Sequence, residues 1–208
     1  MSERTTHTGA ELKVAAVLLA AGLSRRMGER NKLLVEIGGE PLVRRTARRF
    51  LAAGVDVYAV IGHEAEAVRA ALAGLPLSFV ENPNFAEGRA SSARAGVDAV
   101  PRGYDVMLVS PADLPLLTPA DIEDLLRAFA MSGRGRILIP FFGDQRANPV
   151  VFPARLIAEM RARGRNVACR KFIDANPQLT QRYEANDHFV TDIDTPEDLW
   201  AFRASDRP

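Results

Sequence analysis

The chain has 208 residues, of which 47% are hydrophobic and 25% charged, and its formal net charge is +1. This balance is ordinary for a globular enzyme and gives no electrostatic argument for nucleic acid or a membrane as the main partner. The single cysteine, Cys169, excludes an intramolecular disulfide and fits a reducing compartment. No apolar run approaches the ~18 residues of a membrane span, and the first residues resemble no signal peptide. We predict a cytoplasmic protein with a flexible tail over residues 1–12 and one domain over residues 13–208.

Strands and helices alternate through the first 130 or so residues. Apolar runs bounded by turn signals predict strands over residues 14–20, 55–61, 77–81 and 105–110. Apolar residues at helical spacing predict helices over residues 41–53, 63–73, 88–100 and 118–131. This alternation is typical of an α/β fold, a Rossmann-like three-layer sandwich with a mostly parallel central sheet. Ligands bind such sheets at the carboxyl ends of the strands, so we expect the chemistry there.

The rest of the chain is predicted to contain shorter elements. The candidate strands cover residues 136–140, 149–152 and 188–193, and the candidate helices cover residues 153–163, 167–175 and 195–203. One charged stretch lies earlier, in the first predicted helix. It contains Arg44, Arg45, Arg48 and Arg49, which we interpret as a solvated helix face.

The segment LAAGLSRRMGERNK, residues 19–32, begins at the end of the first predicted strand. Its small residues let the backbone approach a ligand, and exposed backbone N–H groups in such a turn form an anion site. A hydroxyl and two basic side chains in the same segment suit phosphate oxygens. The alternative is an ordinary strand-to-helix turn with basic surface residues. The residues predicted to bind nucleotide here are Leu19, Ala20, Ala21, Gly22, Ser24, Arg26 and Lys32.

A carboxylate follows the strand predicted over residues 105–110. Asp113 lies in a turn between Pro111 and Pro115. Magnesium is usually bound by one or two carboxylates together with substrate phosphates. Asp113 is therefore a candidate Mg²⁺ ligand, and the alternative is a turn aspartate that only orders the loop.

Residues 81–96 offer polar groups at the start of a predicted helix. The amide of Asn82 is suited to reading a base, and Gly88 and Ser92 lie where a helix N-terminus favours an anion. The alternative is a capped helix after a loop. These three residues complete the predicted nucleotide site.

Two aspartates lie near the C-terminus. Asp192 and Asp194 flank one residue of a predicted strand, so their side chains would share a face and could supply further metal ligands. The alternative is that Asp194 or Thr195 only caps the last helix.

In this order, the motifs resemble the nucleotidyltransferases that complete the molybdenum cofactor, over residues 14–202. The family opening LAAGxSxRMG is matched by residues 19–28 and followed by Lys32. The pattern NPxxxxGxxxS is matched from Asn82 to Ser92, and the family's metal-binding aspartate falls on Asp113. The stretch GDQRANPVVF, residues 143–152, is similar to the family's RGNPVLF, and DIDTPEDL is matched by residues 192–199.

The resemblance implies a fold of the nucleotide-diphospho-sugar transferase type and Mg²⁺-dependent transfer of CMP from CTP to the phosphate of molybdopterin, with release of pyrophosphate. It implies catalytic roles for Arg26, Lys32 and Asp113, and metal binding by Asp113, Asp192 and Asp194. Guanylyl-transferring relatives usually have glycine at the place of Ala21, which favours CTP over GTP. A client molybdoenzyme is an expected partner.

Two departures from the family pattern lie in the half expected to hold the acceptor. Ala147 stands where the family often has glycine, and residues 164–170 read GRNVACR in place of a GAR-containing segment. Two alternatives therefore stay open. One is a guanylyltransferase or another transferase acting on a phosphorylated small molecule, and the other is a non-catalytic carrier of the molybdenum cofactor.

Overall fold

The computed structural model describes residues 12–28, 30–162 and 169–205. The strands are β1 (Val14–Ala20), β2 (Glu36–Ile37), β3 (Glu40–Pro41), β4 (Asp56–Ile61), β5 (Ser78–Glu81), β6 (Val106–Pro111), β7 (Ile137–Phe142), β8 (Gln145–Arg146), β9 (Val150–Pro153) and β10 (Thr180–Glu184). The helices are α1 (Leu42–Ala52), α2 (Ala65–Ala71), α3 (Arg89–Ala99), α4 (Pro119–Met131), α5 (Ala154–Ala162), α6 (Cys169–Ala175) and α7 (Pro196–Ser205).

The described strands form a mostly parallel sheet in the order β10-β7-β9-β6-β1-β4-β5, and β8 pairs with β7. The pairs β6-β1, β1-β4, β4-β5 and β7-β10 are parallel. Strand β9 is antiparallel to both β6 and β7. Strands β2 and β3 form a separate hairpin. The predicted α/β fold with a mostly parallel sheet is therefore confirmed.

Both faces of the sheet are covered by helices. Side chains of a strand alternate between its faces, so neighbouring residues of β1 pack against different helices. On one face, Leu18 of β1 belongs to a core cluster with Phe50 of α1 and Phe129 of α4. On the other face, Val17 belongs to a cluster with Val97 of α3 and Leu156 of α5. These layers explain why the inner strands are continuous apolar runs.

Helix α3 lies unusually close to the sheet at Gly96. A Cβ atom at this position would lie 2.2 Å from Cγ1 of Val17 and 2.8 Å from Cγ2 of Val60. Such distances are shorter than van der Waals contact, so only glycine fits without movement of the helix. Gly96 thus fixes how closely α3 approaches β1 and β4.

The strand predicted over residues 188–193 is wrong. Residues Asp187–Phe189 form a single 3₁₀ turn, because the side chain of Asn186 accepts a hydrogen bond from the backbone N–H of His188. The ring of Phe189 is buried in the core. The strand of this region is instead β10, which pairs with β7. Asp192 and Asp194 therefore do not lie on a strand.

Two segments discussed from the sequence lie wholly or mostly outside the described residues. Residues 1–11 of the expected tail lie outside the described part, and Leu12 packs against the larger core cluster. Residues 163–168, which include most of the divergent GRNVACR segment, also lie outside it. Within the described ranges, no helix is long and apolar enough to cross a membrane.

Candidate functional site

A cavity of about 480 Å³ opens at the carboxyl ends of β1 and β6. The loop after β1, the start of α3 and the turn after β6 form its walls. This is the edge at which parallel sheets bind ligands. Of the residues predicted from the sequence, the cavity is lined by Leu19, Ala21, Gly22, Ser24, Arg26, Lys32, Gly88, Ser92, Asp113 and Asp194.

Two predicted nucleotide-binding residues lie outside this lining. Ala20 is buried in the core cluster on the opposite side of β1. Asn82 is also buried, and its amide donates hydrogen bonds of 3.0 Å to the hydroxyls of Ser91 and Ser92. Its carbonyl oxygen accepts from the N–H of Asn84. The predicted base-reading role of Asn82 does not fit this arrangement, in which the amide instead holds the loop against α3.

The loop after β1 is closed by its own polar side chains. Ser24 adopts a left-handed conformation with φ of 49°, and its hydroxyl accepts a hydrogen bond from the N–H of Lys32 at 3.2 Å. The side-chain oxygen of Asn31 accepts from the N–H of Leu33 at 3.1 Å. These bonds fix where the Lys32 side chain leaves the backbone, so Ser24 positions the lysine as well as lining the cavity.

The ammonium group of Lys32 lies between two carboxylates. It forms ion pairs with Asp113 and Asp194, and Arg26 pairs with the other oxygen of Asp194. The side chains of Lys32 and Asp113 are only 14% and 4% exposed. Burial lowers the pKa of Lys32, but the charges and hydrogen bonds of the two carboxylates outweigh it and raise the pKa above its ordinary value. Lys32 is therefore held charged inside the protein.

Three carboxylates converge beside this lysine. Asp113, Asp192 and Asp194 each offer an oxygen within 4.8 Å of the others. Burial, followed by the like charges of Asp194 and Asp113, raises the pKa of Asp192. Within the described residues, the buried Oδ1 atom of Asp113 has no hydrogen-bond partner. An unpaired buried carboxylate oxygen among other oxygen ligands fits a hard divalent cation such as Mg²⁺.

The segment before α7 presents Asp194 without a strand. The carboxylate of Asp198 accepts hydrogen bonds from the N–H groups of Asp194 and Thr195, and the hydroxyl of Thr195 accepts from the N–H of Asp198. Thr195 thus caps the helix, whereas the Asp194 side chain turns to Lys32 and Arg26. Asp192 and Asp194 come together as predicted, but for a different structural reason.

The interpretation of the α1 arginines as a solvated face is wrong for three of them. Arg45 donates to the carbonyl oxygen of Pro115 at 3.3 Å, and Arg49 donates to the same atom. Arg44 donates to the carbonyl oxygen of Ala73 at 2.8 Å. Only Arg48 is largely exposed, and it pairs with Glu40.

The shared acceptor of Arg45 and Arg49 lies two residues after Asp113, so the two arginines clamp the turn that carries this carboxylate. Their i,i+4 spacing on one helix face was a signal for a common partner. The sequence did not reveal that the partner would be a backbone carbonyl.

Residues 16–182 match the family described as the MobA-like NTP transferase domain. The chain belongs to the MobA-like NTP transferase domain family. The match includes the loop after β1, the start of α3 and Asp113, but it ends before Asp192 and Asp194.

Curated relatives of this MobA-like chain differ in their names. The bifunctional protein GlmU of Anaeromyxobacter sp. (strain Fw109-5) is 35% identical over 161 residues, which are 72% of this chain and 33% of that protein. The chain thus spans about a third of the length of the GlmU proteins it matches. Nicotine blue oxidoreductase of Paenarthrobacter nicotinovorans is 30% identical over 90% of this chain and 95% of that protein.

Solved structures share the MobA-like fold. A nucleotidyl transferase from Methanothermobacter superposes with a TM-score of 0.76 at 22% identity, covering 93% of this chain and 97% of that one. The 4-diphosphocytidyl-2C-methyl-D-erythritol synthase of Anaerococcus prevotii gives a TM-score of 0.73 at 14% identity, covering 93% and 96%. At these identities the likeness is one of fold.

Proposed function

We propose that the chain is an Mg²⁺-dependent nucleotidyltransferase that transfers CMP from CTP to the phosphate of a molybdopterin-type acceptor and releases pyrophosphate. The observation that carries this proposal is the buried Lys32, which lies between Asp113 and Asp194 in the lining of the cavity at the carboxyl ends of β1 and β6. The cluster offers positive charge for phosphates and carboxylates for a cation at the same edge of the sheet. The preference for CTP rests on the resemblance at Ala21.

Asp113, Asp192 and Asp194 are the residues that would hold the metal. When bound, Mg²⁺ supplies neutralising charge to phosphate oxygens. The unpaired Oδ1 of Asp113 and the oxygen-only set of ligands support this assignment.

The chain's own residues would act mainly by positioning and by charge. The backbone N–H groups of the loop at Ala21 and Gly22 and the Arg26 side chain would hold the triphosphate. Lys32 would exchange its carboxylate partners for phosphate oxygens. An oxygen of the acceptor phosphate then bonds to the α-phosphorus of CTP. The bond from that phosphorus to the bridging oxygen breaks, and pyrophosphate leaves with the electron pair of that bond.

Calorimetric titration with CTP, GTP, ATP and UTP in the presence of Mg²⁺ tests this proposal, together with pyrophosphate release when molybdopterin is added. We expect a clear preference for CTP and acceptor-dependent release. A preference for GTP would move the protein to guanylyl transfer and show that Ala21 does not select the base. Triphosphate binding without pyrophosphate release would support the non-catalytic carrier of the molybdenum cofactor. The absence of any triphosphate binding would contradict the proposed transferase function.

The similarity to nicotine blue oxidoreductase over nearly the whole of both chains favours a second candidate. In this second candidate function the chain is an oxidoreductase, and the cavity at the carboxyl ends of β1 and β6 binds the phosphates of a nicotinamide dinucleotide. The same calorimetric titration with NADH and NADPH separates the two. Dinucleotide binding in place of triphosphate binding would favour the oxidoreductase.

We also propose that residues 13–208 act as one domain and that the protein works in the cytoplasm. The single cysteine supports a reducing compartment. Fractionation of cells that produce the protein, followed by immunodetection, tests the location, and detection outside the cytoplasmic fraction would contradict it.

A further inference from the structure

A third cluster of buried apolar side chains lies where α7, the β2–β3 hairpin and the loop after β1 meet. Its members are Met27, Ile37, Leu42, Ile193, Leu199 and Phe202. Leu116, in the turn that carries Asp113, is partly buried and packs against this third cluster. The third cluster therefore contacts every segment that supplies a charged side chain to the candidate site.

Two members of the third cluster are chain neighbours of charged residues in the site. Met27 directly follows Arg26, and Ile193 lies between Asp192 and Asp194. The side chain of Ile193 is only 1% exposed. Its burial fixes the backbone between the two aspartates by a contact that does not depend on charge.

The charges that hold Asp194 in this structure are not available in every state of the protein. Lys32 and Arg26 are the cations that pair with it, and in the proposed function both bind phosphate oxygens of the nucleotide. Once they do, the like charges of Asp113, Asp192 and Asp194 repel one another. A contact that is independent of charge is then needed to keep these carboxylates together.

Helix α7 supplies that contact. Leu199 and Phe202 lie three residues apart and therefore on one face of the helix, and both are buried in the third cluster. Arg203 also donates a 2.8 Å hydrogen bond to a backbone carbonyl oxygen of β2. The helix begins two residues after Asp194, so the place where α7 docks sets the place of this carboxylate. All of α7 lies beyond residue 182, where the match to the family ends.

We propose that the third cluster positions Asp192 and Asp194 for metal binding after the nucleotide has taken over the neighbouring cations. Ile37, Leu199 and Phe202 are then positioning residues, because they act on the metal site through α7. This inference rests on the proposed transferase function, whose metal site it concerns. Since coupling between two equilibria is reciprocal, a bound metal ion should in turn strengthen the docking of α7.

The first test compares Ile37→Ala, in the third cluster, with the matched control Ile157→Ala, in the core cluster that α5 joins. Both side chains are buried, and among the described residues neither lines the cavity at the carboxyl ends of β1 and β6. Ile37→Val is the conservative variant. The Mn²⁺ affinity of each variant is measured by electron paramagnetic resonance, and its thermal midpoint records the loss of stability.

We expect Ile37→Ala to weaken Mn²⁺ binding by about tenfold, the lower end of what changes around metal ligands cost. Ile37→Val should retain most of the affinity. Ile157→Ala should leave the affinity unchanged although it lowers the thermal midpoint, because both alanine variants leave a cavity in a core. Equal Mn²⁺ affinities of the two alanine variants would overturn the inference.

The second test follows α7 itself. Trp200 is the only tryptophan of the sequence and is 79% exposed on α7, so its fluorescence anisotropy reports the motion of this helix. We expect lower anisotropy in Ile37→Ala than in the unchanged protein and partial recovery when Mg²⁺ is added, whereas Ile157→Ala should match the unchanged protein. Anisotropy that does not fall in Ile37→Ala, or that falls but does not respond to Mg²⁺, would contradict the inference.

Both tests use the full chain, and they separate this inference from the proposed function. Should Ile37→Ala not fold, Phe202→Leu, a smaller change in the same cluster, takes its place. If the unchanged protein binds no Mn²⁺, the metal site of the proposed transferase fails. The anisotropy without metal then decides whether the third cluster holds α7: a decrease in the third-cluster variant alone supports it, and equal values in all variants overturn it.

Discussion

The charged groups of the candidate site come from two regions that are built differently. Asp113 lies two residues after β6, a strand that pairs on both sides within the sheet, and Lys32 belongs to the loop that begins at the end of β1. Asp192 and Asp194 belong instead to a segment without regular structure, held by helix caps and ion pairs. The first region is fixed by hydrogen-bonded strands, and the second largely by the charges that it faces. We therefore expect changes in the first region to impair function more.

The largest effect is expected for Lys32→Ala. This change removes the buried cation and leaves Asp113 and Asp194 facing each other. Loss of one preorganised charge at a reacting phosphate typically costs about 100- to 1,000-fold in turnover, and we expect a loss of that size in pyrophosphate release from CTP. Lys13→Ala, at the opposite end of β1, is the matched control and should retain full activity. An active Lys32→Ala variant would remove the proposed role of this lysine.

The variants Asp113→Asn and Asp194→Asn compare the two regions directly. The Mn²⁺ affinity of each variant is measured by electron paramagnetic resonance. Changes that merely disorient metal ligands weaken binding about 10- to 100-fold, so we expect about 100-fold for Asp113→Asn and about tenfold for Asp194→Asn. The smaller loss reflects a segment that can readjust. A larger loss for Asp194→Asn would reverse the comparison.

Arg49→Ala tests whether the hydrogen bond from Arg49 to the carbonyl oxygen of Pro115 holds the turn that carries Asp113. Losing this donor to a backbone carbonyl is expected to destabilise the fold by about 1–2 kcal/mol and to weaken Mn²⁺ binding several-fold, because the turn that carries Asp113 loosens. Arg48→Ala is the control, because Arg48 lies on the same helix but pairs, among the described residues, with the side chain of Glu40, and it should leave Mn²⁺ binding unchanged. Equal effects of both variants on Mn²⁺ affinity would show that the clamp does not position Asp113.

The smallest effect is expected for Asp121→Asn, which loosens the second region. The carboxylate of Asp121 accepts hydrogen bonds from Thr118 and Asn186 and lies 2.8 Å from Nδ1 of His188. Burial would raise the pKa of Asp121, but these hydrogen bonds outweigh it and lower the pKa below its ordinary value. The ionised carboxylate therefore stabilises the fold above its unfolded pKa, and this contribution is lost as pH falls through the lowered folded value.

We accordingly expect Asp121→Asn to lower the thermal midpoint at neutral pH by a few degrees, with the difference from the unchanged protein shrinking in acid. Asp124→Asn, on the exposed side of the same helix, should change the midpoint little at either pH. A difference that stays constant with pH would show that the ionised carboxylate is not the stabilising group.

The sequence predicted the rigid region better than the segment after β9. Strands such as β1 and β6 are continuous apolar runs because both of their faces are buried, and that signal is local. Strand β10 has the sequence TQRYE, with no fully buried residue, so its pairing with β7 was not readable. Residues 188–193 resembled a short strand, but Asn186 starts a turn there.

The candidate site was predictable as far as its motifs are local. The loop after β1 and Asp113 are sequence patterns attached to strand ends, and their residues do line the cavity. The engagement of the Asn82 amide, and the donation from Arg45 and Arg49 to Pro115, depend on partners brought together by folding. Contacts of that kind cannot be read from spacing along the chain.

The close approach of α3 to the sheet at Gly96 affects the size of two neighbouring cavities. The first turns of this helix supply Ser92 to the cavity at the carboxyl ends of β1 and β6. They supply Ala93 to a second cavity, of about 400 Å³, which lies beside the first between α3 and α6. A side chain at position 96 would push the helix away from β1 and widen both cavities together. Moving this helix would therefore change the size of both cavities, and changing one cavity alone requires substitutions on the helix surface itself.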